Sequence, residues 1–234
     1  MSKLKELIDR LCPDGVKFST LDKLGTFYGG LTGKSKDDFK DGNAKFITYM
    51  NIYSNPSLNL NIEDLVRVSA SEKQNRIQKG DILFTGSSET PNECGFSSVV
   101  TQEISEPIYL NSFCFGFRLT NPEIFNLDFL KHLLRSQEIR NQITKTASGV
   151  TRFNVSKARL YKITLPIPPI EVQNEIAEIL DRLNEYAAEL QARKEQYEYY
   201  RNLLLTFNPS ACGCGTDGEQ EIRDVTPWGG KLRN

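Results

Sequence analysis

One stretch of the sequence, residues 165–207, sets the strongest constraint on the fold. It opens with three prolines and then runs without proline or glycine until Pro209. Proline is favoured in the first turn of a helix and disfavoured in the helix interior. A helix of about 38 residues would extend roughly 55 Å, far beyond the ~11–12 residues of an average helix. The sequence therefore predicts one unusually long helix.

Apolar side chains recur along this helix at steps of four and three residues, which is the heptad pattern of a coiled coil. A helix this long cannot bury such a seam against itself, so the pattern predicts a partner helix. Packing against its own domain is the alternative. Lys194 and Arg201 interrupt the seam, and polar seam residues can fix register and partner number. The predicted dimer seam consists of Ile176, Leu180, Leu183, Ala187, Leu190, Lys194, Tyr197, Arg201 and Leu204.

Short extended runs separated by glycine- and aspartate-bearing turns precede the long helix. Residues 45–53, 81–86 and 96–101 have the composition of strands, whereas residues 126–147 have a helical period. Several short strands of this kind predict a curled, mostly antiparallel β-domain. We predict an α+β fold with three parts, which are a β-domain at 1–165, the long helix at 166–208 and a flexible tail at 209–234.

Charge is distributed unevenly, although the formal net charge is only −1. Residues 131–162 contain eight lysines and arginines and a single acid, Glu138. A local excess of positive charge is typical of a surface that binds a polyanion. No run of about 18 apolar residues occurs, so no membrane span is predicted. The odd number of cysteines and the absence of an apolar signal core favour reduced thiols in a cytoplasmic protein.

Two polar loops carry side chains suited to phosphates and base edges. GGLTGKS at 29–35 resembles a P-loop, but its glycine spacing is one residue short and no strand-to-helix unit surrounds it. SGVTRFNVSK at 148–157 lies beside the basic segment. Arginine, asparagine, serine and threonine on such a loop favour nucleic-acid contact. A solvated loop or a helix-capping loop would have the same composition, so a structural role and nucleic-acid contact both stay open.

Residues for catalysis are not found at the expected spacings. Asp14 and Asp38 fit a loose nuclease signature, but Asp14 lies in a CPDG turn and such short patterns occur by chance. His132 is the single histidine, which favours a structural or surface role. Cys212 and Cys214 supply only half of a zinc site. We predict a protein without a catalytic or metal site.

Several stretches together resemble the specificity subunits of type I restriction–modification enzymes. The similar stretches are CPDGVKFSTLDKLG at 12–25, TFYGGLTGKSKDDFKDGNAKFITYMNIYSN at 26–55, QKGDILFTGSSET at 78–90 and ASGVTRFNVSKARLYKITLPIPPIEVQNEIAEILDRL at 147–183. A G-x-T-R loop followed by P-x-P-P and a helix that starts with apolar residues and glutamine is specific in combination. The resemblance implies a DNA target-recognition domain followed by a long spacer helix.

Members of this family usually carry two such units, so the chain resembles a half-length subunit. The resemblance implies a non-catalytic subunit that reads one half-site of a bipartite double-stranded DNA target. It also implies docking of methyltransferase subunits, which bring AdoMet, and of restriction (translocase) subunits, which bring ATP and Mg²⁺.

Pairing through the long helix with a second copy would then give a split palindromic target, and pairing with another specificity subunit is the other possibility. A coiled-coil adaptor without DNA readout is the alternative function. The predicted DNA contacts are Lys34, Ser35, Lys36, Asn51, Ser87, Ser88, Thr90, Ser148, Thr151, Arg152, Asn154 and Lys157.

Overall fold

A computed structural model describes residues 3–206 of the chain. The chain divides into two compact units, 1–185 and 186–234. The predicted tail at 209–234, with Cys212 and Cys214, lies outside the described residues. Among residues 3–206, no helix is both long and apolar enough to cross a membrane.

The described chain contains short helices and strands followed by one long helix. The first half comprises α1 (Lys3–Leu11), β1 (Lys17–Thr20), α2 (Leu21–Leu24), β2 (Gly25–Gly29), β3 (Ala44–Ile47), α3 (Tyr49–Ser54), β4 (Leu65–Val66), β5 (Ile82–Thr85), β6 (Ser87–Ser88) and β7 (Ser97–Val99). The second half comprises β8 (Ile108–Leu110), β9 (Cys114–Leu119), α4 (Leu127–Arg135), α5 (Gln137–Thr144), β10 (Ala147–Ser148), β11 (Phe153–Val155), α6 (Lys157–Leu160), β12 (Thr164–Ile167) and α7 (Ile170–Leu204). Three 3₁₀ turns lie at Lys36–Phe39, Pro91–Glu93 and Pro122–Ile124.

The strands of the described chain form four small sheets. The largest has the order β2-β9-β5-β7 and is antiparallel. The sheets β1-β12 and β10-β11-β6 are also antiparallel, while β4-β3-β8 contains a parallel pair, β3 with β8. No closed barrel forms within residues 3–206. The prediction of an α+β chain with mostly antiparallel strands and a long C-terminal helix is confirmed.

Strand β5 is buried on both faces, which explains its continuous apolar sequence. Ile82 and Phe84 pack into one core, formed mainly with β9, α4 and α5. Leu83 packs into a second core with residues of α3 and β8. Successive strand residues point to opposite faces of a sheet, so one short strand supplies both cores. This sheet therefore lies between two hydrophobic cores of the first unit.

Two sequence predictions fail locally for identifiable reasons. The strand predicted at 45–53 ends at Ile47, and the helix α3 begins at Tyr49. The side chain of Thr48 accepts a hydrogen bond from the Asn51 N–H and so caps the helix. The single helix predicted at 126–147 is two helices, because Ser136 adopts an extended conformation with ψ of 150°.

A buried glutamine, Gln173, anchors the start of α7 to the first unit. Its side chain is 1% exposed. The amide nitrogen donates to the carbonyls of Ile124 at 2.9 Å and Pro168 at 2.8 Å. The amide oxygen accepts from the Asn126 N–H at 2.8 Å. One side chain therefore satisfies backbone groups of two segments that meet the helix.

Replacing Gln173 with leucine will lower the free energy of unfolding by about 3 kcal/mol. The change leaves buried backbone groups without partners, and each such group costs roughly 1–3 kcal/mol. Urea unfolding of the full chain measures the effect. Asn184→Leu, at an exposed position of the same helix, is the control and should leave the unfolding midpoint unchanged. A Gln173→Leu midpoint equal to that of the control would refute the anchoring role.

Candidate nucleic-acid interface

The three-stranded sheet β10-β11-β6 joins two distant parts of the sequence. Asn154 in the middle strand lies opposite Ser148 on one side and Ser87 on the other. Phe153 lies opposite Ser88. Thr151 and Arg152 fall in the loop between β10 and β11. The structure therefore brings together six of the predicted contacts, which are Ser87, Ser88, Ser148, Thr151, Arg152 and Asn154.

The loop between β10 and β11 depends on a glycine. Gly149 has a φ of +152°, and a Cβ at this position would lie 2.0 Å from the carbonyl oxygen of Arg152. Only glycine can adopt this turn without displacing the backbone. Val150 at the tip is 91% exposed. The hairpin therefore closes tightly and leaves its tip open to a ligand.

Arg152 is exposed but held by neighbouring side chains. Its Nε donates to the hydroxyl oxygen of Ser87 at 3.1 Å. Its guanidinium carbon lies 5.8 Å from the centre of the Phe113 ring. A guanidinium has five N–H donors, and the contact with Ser87 uses one of them. Arg152 is therefore oriented by the protein while keeping donors for a ligand.

A concavity of about 500 Å³ lies beside this sheet. It combines predicted contacts with aromatic and acidic residues of α3 and of the loops before β7 and β9. The lining residues are Tyr49, Met50, Tyr53, Ser87, Ser88, Glu89, Glu93, Phe113, Thr151 and Arg152. The sequence analysis missed the aromatic members, because they lie in two segments, 45–53 and 107–120, that have the composition of ordinary strands.

The hydroxyl groups of this concavity are held by local hydrogen bonds. Tyr53 donates to Glu93 at 3.0 Å, and this bond raises the pKa of Tyr53. Thr90 also donates to Glu93, at 2.8 Å, and its carbonyl accepts from the Ser88 hydroxyl. Burial raises the pKa of Tyr49. These groups stay neutral at ordinary pH and present hydrogen-bonding dipoles.

A second concavity of about 370 Å³ shares Ser87 and Phe113 with the first. It also includes Asn154 and Lys157. The Lys157 ammonium lies 5.0 Å from the centre of the Phe115 ring. Seven predicted contacts therefore line the two concavities or the sheet between them, and one face of the first unit offers hydroxyls, an amide and two cations.

The basic segment 131–162 is only partly a surface feature, which corrects its interpretation as one electrostatic footprint. Arg140 is 8% exposed and donates to the carbonyls of three residues, Asn92, Cys94 and Gly95. Arg135 donates to the carbonyls of Ser97, Ile52 and Tyr53. Burial lowers the pKa of Arg135 to about 10 and also lowers that of Arg140. Lys131 pairs with Asp128 and Asp181. The exposed bases of the segment are Lys145, Arg152, Lys157, Arg159 and Lys162.

The glycine-rich loop contributes less to this face than its composition indicated. The Lys34 side chain is 6% exposed and pairs with Glu72, whose pKa this hydrogen bond lowers to about 2. Ser35 bonds to Asp38 at 2.8 Å and caps a 3₁₀ turn. Lys36 is exposed. Lys34, Ser35 and Lys36 line neither concavity.

Two further residues of interest have internal partners. The side chain of Asn51 donates to the carbonyl of Asn59 at 2.8 Å and supports the chain after α3. His132 lies 2.7 Å from a carboxylate oxygen of Asp181, so this histidine joins α4 to α7 within the first unit. Among residues 3–206, no group of histidine, cysteine, aspartate and glutamate could hold a metal ion.

Comparison with known protein families identifies the chain. The type I restriction modification DNA specificity domain matches residues 13–197. The chain belongs to this family. The EcoKI specificity subunit of Escherichia coli (strain K12) is 27% identical over 212 residues, which cover 88% of this chain and 44% of the relative. The EcoR124I/EcoR124II specificity subunit of Escherichia coli is 24% identical and is matched over 82% of this chain and 48% of the relative. This member of the specificity family therefore spans about half the length of these curated relatives.

Solved structures of type I restriction–modification proteins share the fold. The HsdS subunit from Thermoanaerobacter tengcongensis superposes with a TM-score of 0.56 at 21% identity, covering 82% of this chain and 48% of that one. A chain from a study of complex assembly and conformational transition of the type I R-M system gives a TM-score of 0.56 at 16% identity, covering 86% and 48%. At these identities the likeness establishes the fold of the specificity family.

The heptad seam of this specificity-family chain changes from packed to exposed along α7. Ile176 packs against the core of the first unit, and Leu180 is half-buried. The later seam residues are exposed, and they are Leu183, Ala187, Leu190, Lys194, Tyr197, Arg201 and Leu204. Contiguous exposed apolar side chains mark interaction surfaces. The exposed part of the seam is the second candidate interface.

Proposed function

We propose that this chain is a non-catalytic specificity subunit that recognises one half-site of a bipartite DNA target. The observation that carries the proposal is the convergence of β6 with the β10–β11 hairpin, which places polar side chains from distant segments on one sheet. Serine, asparagine and arginine are side chains that contact phosphates and base edges. Membership of a DNA specificity family supports the same function.

Different residues of this face suit different roles. Arg152, which is oriented by Ser87 and Phe113, suits base reading, because a fixed guanidinium can bond to both acceptors of guanine. Lys157 is exposed and carries a compact positive charge, so it suits a phosphate. Ser87 bonds to Arg152 and lines both concavities, and Asn154 lines the second concavity together with Lys157, so both can contact either kind of group.

We also propose that the exposed seam of α7 pairs two chains. A second copy would supply a second identical recognition domain, and two-fold symmetry would give a split palindromic target. The exposed apolar side chains of the later seam support this arrangement, because contiguous apolar surface of this kind marks an interaction site. Pairing with a different specificity subunit would instead give two unlike half-sites.

In the proposed complex, methyltransferase and restriction subunits perform the chemistry. They would bring AdoMet, ATP and Mg²⁺, and this chain would bind the DNA and hold those subunits on it. The contribution of its own residues is recognition and positioning.

Methylome sequencing of cells that express this chain with its methyltransferase subunit tests the proposal. We expect new adenine methylation at a split palindromic motif. Cells that express the methyltransferase alone are the control and should lack this motif. The absence of any chain-dependent motif would refute DNA recognition. A split motif with two unlike halves would refute the homodimer and support pairing with another specificity subunit.

A further inference from the structure

Phe113 is a large apolar side chain exposed on an otherwise polar face. It lies in the turn between β8 and β9 and is 61% exposed. Its ring lines both concavities beside the three-stranded sheet. An exposed phenyl ring lacks the roughly 1.5–3 kcal/mol of stabilisation that its burial would contribute. A single exposed apolar residue is ordinary on a protein surface, but the backbone of Phe113 is held by hydrogen bonds and its ring is surrounded by polar groups.

The backbone fixes Phe113 against the sheet. Its N–H donates to the side chain of Asn111 at 2.8 Å, and its carbonyl accepts from the Gly86 N–H at 2.9 Å. A Cβ at Gly86 would lie 2.5 Å from the Phe113 carbonyl oxygen, so this close approach requires glycine. Gly86 directly precedes Ser87. The Phe113 backbone is therefore held at a set position relative to β6.

The surroundings of Phe113 suit the edge or face of a DNA base. Arg152 lies against the ring, and Asn154 and Lys157 line the adjoining concavity. These polar groups can bond to phosphates and base edges, but a phenyl ring gains nothing from a phosphate. Apolar side chains in protein–DNA interfaces contact the thymine methyl group or the faces of unstacked bases. An apolar base surface is the DNA feature that fits an exposed phenyl ring beside a guanidinium.

We propose that Phe113 makes an apolar contact with a base of the half-site and thereby contributes to specificity. The inference rests on the proposed function and extends it to Phe113, which is not one of the predicted polar DNA contacts. The base offers either a thymine methyl group or an exposed face, and both supply the same apolar surface. Arg152 provides hydrogen bonds next to this contact.

The test compares two phenylalanines of nearly equal exposure. Phe18 in β1 is 62% exposed and lines neither concavity, so Phe18→Ala is the matched control for Phe113→Ala. The wild-type chain with its methyltransferase subunit first selects duplexes from a randomised DNA pool. The affinity of each variant complex is then measured on the selected duplex and on a scrambled one.

We expect Phe113→Ala to weaken binding to the selected duplex roughly tenfold to hundredfold, the range of a base contact worth about 1–3 kcal/mol. Binding to the scrambled duplex should not change, and Phe18→Ala should match the wild type on both. Equal unfolding midpoints of the variants exclude a folding defect. If Phe113→Ala binds like Phe18→Ala while Arg152→Leu weakens binding, the inference is wrong and the proposed function stands. If the wild type enriches no sequence, both are wrong.

Two DNA modifications identify the base surface. Uracil in place of thymine removes the methyl group. If Phe113 contacts that methyl group, uracil weakens DNA binding by the wild type but not by Phe113→Ala. 2-Aminopurine fluoresces when it is unstacked. If Phe113 contacts the face of an unstacked base, the fluorescence of 2-aminopurine at that position rises with the wild type but not with Phe113→Ala. Either result supports the inference. If neither modification separates the two proteins at any position of the selected site, Phe113 does not contact a base.

Discussion

We expect Leu190→Asp combined with Tyr197→Asp to separate the proposed pair of chains and to abolish methylation of the proposed split target. Both side chains are more than half exposed in the described chain and lie in the same column of the seam, seven residues apart. Pairing would bury them, and two-fold symmetry repeats the change on both helices. At roughly 2 kcal/mol for each side chain, the loss is on the order of 8 kcal/mol before the cost of burying carboxylates is added. A dimer of ordinary affinity does not survive such a loss.

Analytical ultracentrifugation of the full chain measures the expected shift from dimer to monomer. Ala188→Asp with Ala192→Asp is the matched control, because the helical period places these two alanines on the opposite side of α7 from Leu190. The control variant should remain dimeric and support methylation. A dimer that persists after both seam substitutions would refute pairing through this surface. Loss of the dimer in the control as well would show that added charge, rather than the seam, causes the effect.

Substitutions at Arg152 will separate base reading from charge neutralisation. Arg152→Lys keeps the positive charge but loses the planar pair of donors that a guanine accepts. We expect discrimination between the selected and scrambled duplexes to fall tenfold to hundredfold, the equivalent of about 1–3 kcal/mol. The dependence of affinity on salt should stay the same. Sequence preference then changes while general DNA affinity does not.

Arg152→Leu removes the charge as well. If Arg152 also contacts a phosphate, the slope of log affinity against log salt will become shallower by about 0.9 for each recognition domain. Binding titrations over a series of salt concentrations measure this slope. Arg10→Leu, which removes an exposed charge from α1, is the control and should alter neither slope nor preference. If Arg152→Lys keeps the wild-type preference, Arg152 does not read a base.

The basic segment shows that charge counted along the sequence does not predict charge on the surface. Eight bases within residues 131–162 indicated a polyanion surface. In the folded chain, Arg135 and Arg140 lie 4.5 Å and 4.4 Å from the Phe96 ring centre. The helical period contained a signal for this result, because Arg140 lies three residues before Ile143 on the apolar face of α5. Counting charge along the chain ignores which face of a helix carries it.

The two concavities contain residues that no local sequence pattern indicated. The G-x-T-R loop was identified from its own residues, since glycine, threonine and arginine act within one hairpin. Phe113 and Tyr53 gave no comparable signal. Their positions beside Arg152 depend on pairing between strands far apart in the sequence, and no local periodicity encodes that pairing.

The sequence by itself determined the long helix, because three prolines start it and no proline or glycine interrupts it. It also determined the α+β class and the polar loop at 148–157, since turn residues and alternation act over a few positions. Only the tertiary structure decided which polar residues share a face. The Lys34 side chain is 6% exposed and pairs with Glu72 while Arg152 stays exposed, although both are basic residues in glycine-bearing loops. The physical reason is that burial and pairing depend on contacts with distant segments, here Glu72 for Lys34 and Ser87 for Arg152.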